Sequence, residues 1–137
     1  MAEIGLDTPT LGESTSVTLT IVQAGAALTV CQPVYIAADL KYYPCRNTTV
    51  PLALAAGLAF TAAAADEDYF VMVTSGPVAI TVGAPNMVKG LVYCVGNTAG
   101  SIESYTEVDA AEIVTVLGTA LSTLVLDISI QATGAVK

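Results

Sequence analysis

Few side chains in this sequence could carry out catalysis or bind a metal. The chain has no histidine, so the commonest general base and the usual imidazole ligand are both missing. The cysteines Cys31, Cys45 and Cys94 are far apart and form no CxxC pair, which predicts buried thiols in a reducing compartment. Ser75 and Ser122 have no evident base partner. We therefore expect no enzyme, no cofactor and no metal site.

Carboxylates are the remaining reactive groups, and they fall into two clusters. Asp66, Glu67 and Asp68 form one, and the stretch Glu107 to Glu112 contains the other. A glycosidase needs two carboxyl groups on opposite sides of a cleft, and a calcium loop needs further oxygen ligands and a glycine at defined spacing. The sequence has neither pattern, so we interpret both clusters as solvated loop charges.

Charge restricts the partners of the chain. Twelve acidic and four basic residues give a formal net charge of −8, and the four basic residues are scattered. Phosphate backbones and anionic membrane surfaces both require clustered lysine and arginine. We predict no nucleic-acid partner and no membrane partner, and we interpret the acidic charge as an aid to solubility.

The composition is strongly apolar, with 54% hydrophobic residues and a mean hydropathy of +0.71. This is typical of a membrane protein, a very compact β-domain or a subunit that buries surface against partners. The longest apolar stretch, Val50 to Ala65, contains Pro51 and is shorter than the roughly 20 residues of a spanning helix. The N-terminus has acids where a secretory signal has bases, so we expect a protein that is not secreted.

Alternation of apolar and polar residues predicts an all-β fold in a single domain. Residues 16–21 alternate with a period of two, and Tyr69 to Thr74 is apolar on both faces, as in a central strand. We expect a compact β-sandwich or β-barrel of about 8–10 short strands. Further strands are predicted at 34–36, near Pro44, and at 58–61, 78–82, 91–95, from Ile102, and at 113–117 and 124–130.

Glycines are predicted to turn the chain between these strands. Gly76 and Gly118 each follow a strand and would lie at equivalent turns, since a residue without a Cβ tolerates positive φ. The alanine-rich stretch Leu52 to Ala65 fits either structure. We favour a strand over Leu58 to Thr61, with a short helix as the alternative.

Residues 1–13 have no periodicity and are predicted to form an extended N-terminal arm, with residues 14–137 as the β-domain. Ile4, Leu6 and Leu11 are the apolar groups of this arm. A disordered terminus and an arm that adds to a neighbouring subunit are both compatible with the sequence.

The C-terminal part of the chain carries a family likeness. The segments GLAFTAAAADEDYFVMVTSGPVAITVGA, GLVYCVGNTAGSI and EIVTVLGTALSTLVLDISIQATG resemble a recurrent pattern of tailed-phage structural proteins. Residues 1–50 contribute only QPVYI. The chain is similar to small phage head decoration, or cement, proteins. The matching elements are Gly57-Leu58-Ala59, Thr74-Ser75-Gly76, Val92-Tyr93, Gly100-Ser101-Ile102, Val114 to Ser122 and Thr133-Gly134.

The resemblance implies a structural virion protein without catalytic residues, made in the host cytoplasm and located on the outer capsid surface. It implies binding to the major capsid protein, stabilisation of the shell and a homotrimer, since oligomers around symmetry axes bury apolar surface economically. Ile4, Leu6 and Leu11 then become candidate capsid or subunit contacts. A tail or fibre component and a carbohydrate-binding β-module are the alternatives, and the absence of tryptophan disfavours the latter.

Overall fold

The computed structural model describes residues 4, 6–11, 16–82 and 86–137. Half of the chain is strand and 6% is helix, and the sheet is antiparallel and curls into a half-barrel, which confirms the predicted all-β fold. The strands are β1 (Leu6–Leu11), β2 (Thr18–Gln23), β3 (Pro33–Ile36), β4 (Tyr42–Pro44), β5 (Gly57–Ala59), β6 (Tyr69–Val82), β7 (Val92–Val95), β8 (Ile102–Ser104), β9 (Ile113–Ala120) and β10 (Val125–Val136). A short helix, α1 (Val50–Ala53), and a 3-10 turn (Tyr105–Glu107) accompany them.

The long strand β6 organises the sheet. The strand order is β4-β3-β5-β6-β10-β9-β7-β8, and β1 and β2 also pair with β6. The N-terminal half of β6 lies between β2 and β5, and its C-terminal half lies between β1 and β10. The apolar sequence of β6 correctly predicted a central strand, because pairing on both edges and packing on both faces leave little room for polar side chains.

Gly76 bends β6 instead of ending it. The turn predicted at this glycine is wrong, since the strand runs without a break from Tyr69 to Val82. The expected positive φ is present, at +105°, and a Cβ at Gly76 would lie 2.2 Å from the carbonyl oxygen of Ser16. The pairing with β2 shifts register at Thr18, beside this point. Glycine is therefore needed at the point where the strand that pairs with this edge of β6 changes from β2 to β1.

The ambiguous alanine-rich stretch contains both predicted alternatives. Pro51 lies in the first turn of α1, where its missing N–H costs no hydrogen bond. The hydroxyl of buried Thr115 donates to the carbonyl oxygen of Ala53, which fixes α1 on β9. The chain then becomes extended and forms β5, in place of the strand predicted over 58–61.

Two clusters of buried side chains fill the curled sheet. The larger one includes Leu58, Leu117, Leu126 and Ile128, and the smaller one includes Phe70 and Met72 of β6. Backbone hydrogen bonds also join parts of the curled sheet that are far apart in the strand order. Gly25 N donates to Tyr42 O at 2.9 Å, and Ile4 N donates to Ile102 O at 3.0 Å.

The segment predicted as an arm contributes a strand to its own chain. β1 pairs antiparallel with the C-terminal half of β6, and Pro9 within β1 is buried. Ile4 is 7% exposed and packs in the larger core cluster. A contact between Ile4 and a capsid would therefore require this residue to leave the core. The side chains of Leu6 and Leu11, and residues 12–15, lie outside what the structure describes.

Candidate interaction surfaces

The chain buries one polar cluster, which links the segment before α1 to β8 and to the start of β9. Asn47 is fully buried, and its Nδ2 donates to Glu103 Oε1 at 3.1 Å and to Glu112 Oε2 at 2.9 Å. Asn97 Nδ2 donates to Glu112 Oε1 at 2.8 Å. Two side-chain amides thus hold two carboxylates in place, a structural use of polar groups.

This cluster corrects one interpretation made from the sequence. Glu112 was expected to be a solvated loop charge, but it is half-buried and accepts hydrogen bonds from Asn47, Asn97 and the backbone N–H of Asp109. No pattern in the sequence indicated that Glu103 would be buried. Its partner Asn47 is 56 positions away, and no local pattern relates the two residues.

The three cysteines are buried and form no disulfide, as the sequence predicted. Burial, with a smaller effect from Glu103, raises the pKa of Cys94 to about 11, and burial raises the pKa of Cys45 still further. A thiol with a raised pKa is a poor nucleophile at neutral pH, because the thiolate is the reactive form. These residues serve as small apolar side chains.

Two features are absent from the described part of the chain: a group of metal ligands and a membrane-spanning helix. Within residues 4, 6–11, 16–82 and 86–137, no three His, Cys, Asp or Glu side chains are grouped so that they could hold a metal ion. In the same ranges, no helix has the length and apolar character needed to cross a bilayer.

Three exposed apolar side chains lie together on β2 and at the start of β6. Leu19 is 43% exposed, Ile21 is 73% exposed and Tyr69 is 70% exposed. Leu19, Ile21 and Gln23 pair in turn with Val73, Val71 and Tyr69, so these side chains share one face of the sheet. We call Leu19, Ile21 and Tyr69 the β2 face.

The edge of β2 adds to the exposure of this face. Over Thr18–Gln23 the ladder is the one with β6, and no other described strand pairs with the opposite edge of β2. The strand carries no charged residue, whereas monomeric proteins commonly protect an exposed edge with charge, proline or a covering loop. An uncharged, apolar, open edge is a typical site for contact with another chain.

The β3–β4 hairpin ends in a second exposed apolar group. Leu40 is 74% exposed and has φ of +65°, a conformation that glycine or asparagine adopts more easily. Leu40 N donates to Ala37 O, and Ala37 N donates to Lys41 O, both at 2.9 Å. These bonds hold the turn, so the strained leucine is fixed at its apex.

The residues on either side of Leu40, Asp39 and Lys41, take part in charged contacts. Asp39 accepts hydrogen bonds from the Tyr43 hydroxyl at 2.6 Å and from Lys41 N at 3.0 Å, and the Tyr43 bond holds the pKa of Asp39 below its ordinary value. Lys41 Nζ lies 3.0 Å from Asp66 Oδ1 and 3.4 Å from Glu67 Oε1. These ion pairs join the β3–β4 turn to the connection between β5 and β6. We call residues 39–41 and 66–68 the acidic tip.

A shallow apolar cleft lies at the start of β7, with a volume of about 210 Å³. Val88, Leu91 and Tyr93 line it, together with Ser104, Thr106 and others. The Tyr93 hydroxyl accepts a hydrogen bond from Val88 N at 2.8 Å, which fixes one wall. We call this the β7 cleft; Val88 is exposed at its rim, and Lys89 beside it is also exposed.

No protein-family model, curated protein or solved structure matches this chain. The resemblance to phage decoration proteins therefore stays a prediction, and function has to be argued from the exposed surfaces. The sequence singled out neither Ile21 nor Leu40. Leu19 and Ile21 were recognised only as part of an alternating strand, and Leu40 stands in a short polar turn with no glycine to mark its backbone conformation.

Proposed function

We propose that this protein is a structural virion protein that binds the outer surface of a phage capsid as a decoration protein and stabilises the shell. The observation that carries the proposal is the β2 face, where Ile21 and Tyr69 are largely exposed beside an open strand edge. Exposed apolar surface of this kind lowers the free energy of a complex when a partner covers it. A capsid is a partner that would cover this face. The resemblance to phage decoration proteins favours a capsid over other partners.

The remaining features agree with an outer capsid position. A net charge of −8 gives the protein no attraction to the packaged nucleic acid. The carboxylates that lie close to one another are held by amides or by Lys41, an arrangement that fits structural support better than catalysis.

Shell stabilisation follows from ordinary binding linkage. A ligand that binds the assembled shell but not its separated subunits favours the assembled state by its binding free energy. A homotrimer would present three β2 faces around one axis and so contact several shell subunits at once. Multivalent attachment of this kind raises the overall affinity without any new type of contact.

The test is binding of the purified protein to shells that lack it, compared with the Ile21→Thr variant. Threonine preserves the β-branched shape of an exposed strand residue, so folding should be unaffected. We expect at least about tenfold weaker binding, measured by co-sedimentation and quantitative mass spectrometry. Val136→Thr is the matched control, because Val136 is also exposed but lies at the end of β10.

The copy number of the protein in purified particles separates the proposal from its alternatives. Copies comparable in number to the major capsid protein would support the decoration role. A handful of copies would favour a tail or fibre component. Absence from particles, together with saturable binding to a glycan panel, would overturn the proposal in favour of a carbohydrate-binding module.

A further inference from the structure

We propose that Leu40 of one copy inserts into the β7 cleft of a second copy, so that the protein associates with itself head to tail. The inference deepens the proposed function and rests on it for the expectation of an oligomer. It assigns the two surfaces that would meet: the acidic tip and the β7 cleft.

Leu40 has no evident role within its own chain. Its side chain is 74% exposed, so it adds little to the core, and its φ of +65° is unfavourable for a bulky residue. Asparagine or glycine would adopt the same backbone more easily. A leucine that is strained and exposed is best explained by a contact outside the monomer, where its apolar side chain is buried.

The β7 cleft has the size and chemistry to accept a leucine. Its volume of about 210 Å³ exceeds the roughly 150 Å³ of an apolar cavity that holds benzene. Val88, Leu91 and Tyr93 provide apolar walls, and the bond between Val88 N and the Tyr93 hydroxyl holds one wall in position before any ligand arrives. A preformed cleft lowers the entropy cost of binding.

The charges beside the two surfaces are complementary. Asp39 precedes Leu40 and its carboxylate is held at the tip by the Tyr43 hydroxyl, whereas Lys89 follows Val88 at the rim of the cleft. Within the described ranges, Lys89 forms no ion pair with a carboxylate of its own chain. Glu107 also lines the cleft, and Lys41 of the tip is held by Asp66 and Glu67, so Asp39 and Lys89 are the charges that this contact would bring together. This pattern would favour one orientation of approach.

The two surfaces are different, so their contact is heterologous. The tip lies on β3 and β4, at one end of the strand order, and the cleft lies beside β7 and β8, at the other end. A heterologous contact closes into a ring when the rotation between copies permits, and a homotrimer is such a ring. The β2 face adjoins the tip, since Tyr69 directly follows Asp68, but Leu19 and Ile21 belong to neither contact surface and would stay available to a shell.

The test is the association state of the purified full chain in analytical ultracentrifugation. Leu40→Asn keeps the left-handed backbone and removes the apolar side chain, and Val88→Asp places a charge at the exposed rim of the cleft. We expect the wild-type chain to associate and each variant to weaken association at least about tenfold. Ala111→Asn is the matched control, because Ala111 is another exposed residue at positive φ, 72°, and lines neither surface.

Mixing the two variants makes the test specific for a head-to-tail contact. Leu40→Asn retains an intact cleft and Val88→Asp retains an intact Leu40, so an equimolar mixture should form a one-to-one complex and stop there. A wild-type chain that stays monomeric, a Leu40→Asn chain that associates normally, or a mixture that forms no complex would overturn the proposal. These measurements use the protein alone, so a failure to bind shells would overturn the capsid role without affecting this result.

Discussion

The β9–β10 hairpin and the β3–β4 hairpin are both antiparallel. They differ in how well the residue type at one key position fits the local backbone and packing. In β9, Gly118 pairs with Ile128, and a Cβ at this glycine would lie 2.0 Å from the carbonyl oxygen of Asp127. Packing within the chain therefore requires a glycine there. In the β3–β4 turn, Leu40 occupies a conformation that suits glycine, and no packing of its own chain requires the leucine.

The interactions that stabilise the two hairpins also differ. β9 and β10 place Leu117, Leu126 and Ile128 in the larger core, where burial of each side chain stabilises the fold by about 1.5–3 kcal/mol. The β3–β4 hairpin places Val34 in the smaller core cluster, and its turn is held by the stack of Tyr35 on Tyr43, at 5.9 Å between ring centroids, and by the ion pairs of Lys41. The first hairpin builds the larger core, whereas the turn of the second presents a surface.

Gly118→Ala should have the largest effect on stability. The added methyl group would meet backbone atoms of β10, which cannot move without breaking the ladder, so we expect the free energy of unfolding to fall by about 3 kcal/mol or more. The reason differs from the turn predicted from the sequence, since Gly118 lies within β9. The measurement is denaturant unfolding.

Gly90→Ala is the control for Gly118→Ala. Gly90 has φ of +87°, but a Cβ there would have no atom within 4 Å. It should cost only about 1 kcal/mol from backbone strain. Equal losses in the two variants would show that close approach of β10 is not what requires Gly118.

Ile4→Ala should have the next largest effect. Ile4 packs in the same core as β9 and β10 and bonds through its N–H to Ile102 of β8. Truncation of a buried isoleucine leaves a cavity, so we expect a loss of about 2–3 kcal/mol in thermal or denaturant unfolding. An unchanged stability, together with weaker shell binding, would instead identify residue 4 as part of an external arm.

Alkaline pH should also destabilise the fold through the buried thiol next to β9. The folded pKa of Cys94 is about 11 and its ordinary value is 9.0, so the unfolded chain releases this proton first. The contribution of Cys94 is therefore complete below about pH 9 and is lost as the pH rises towards 11, by roughly 2 kcal/mol. The measurement is the free energy of unfolding between pH 8 and pH 11, at about one-unit intervals.

Cys94→Ala is the control for this pH dependence. The variant should show a shallower decline of stability over the same range. A residual decline is expected, because burial also raises the pKa of Cys45 and of Tyr35, and the bond to Asp39 raises the pKa of Tyr43. Identical slopes in the variant and the wild type would rule out Cys94 as a source of the decline.

The sequence predicted where β6 and β10 lie along the chain, but it divided β6 into two strands at Gly76 and ended β10 at residue 130. It did not predict which face of β2 is buried, because alternation separates two faces without saying which one meets the core, and an edge strand can expose its apolar side. Gly76 and Gly118 were recognised as special, yet one is required by φ and the other by contact with β10. That distinction depends on neighbours far away in the chain.

The sequence predicted even less of the two candidate interaction surfaces, the acidic tip and the β7 cleft. The acidic tip joins residues 39–41 to residues 66–68 through Lys41, and the β7 cleft brings Leu91 beside Thr106. Tertiary pairing of separate hairpins creates both surfaces, so neither leaves a local signature. The strain at Leu40 is equally hidden, since a leucine in a polar turn looks unremarkable until its φ is known.

Leu40→Asn should have the smallest effect and the opposite sign, raising the free energy of unfolding by about 0.5–1 kcal/mol. Asparagine tolerates positive φ, and the exposed leucine side chain contributes little packing that could be lost. The measurement is thermal unfolding at a protein concentration low enough to keep the chain monomeric, because association would otherwise stabilise the wild type. A variant less stable than the monomeric wild type would mean that Leu40 supports its own fold, and the contrast between the two hairpins would then disappear.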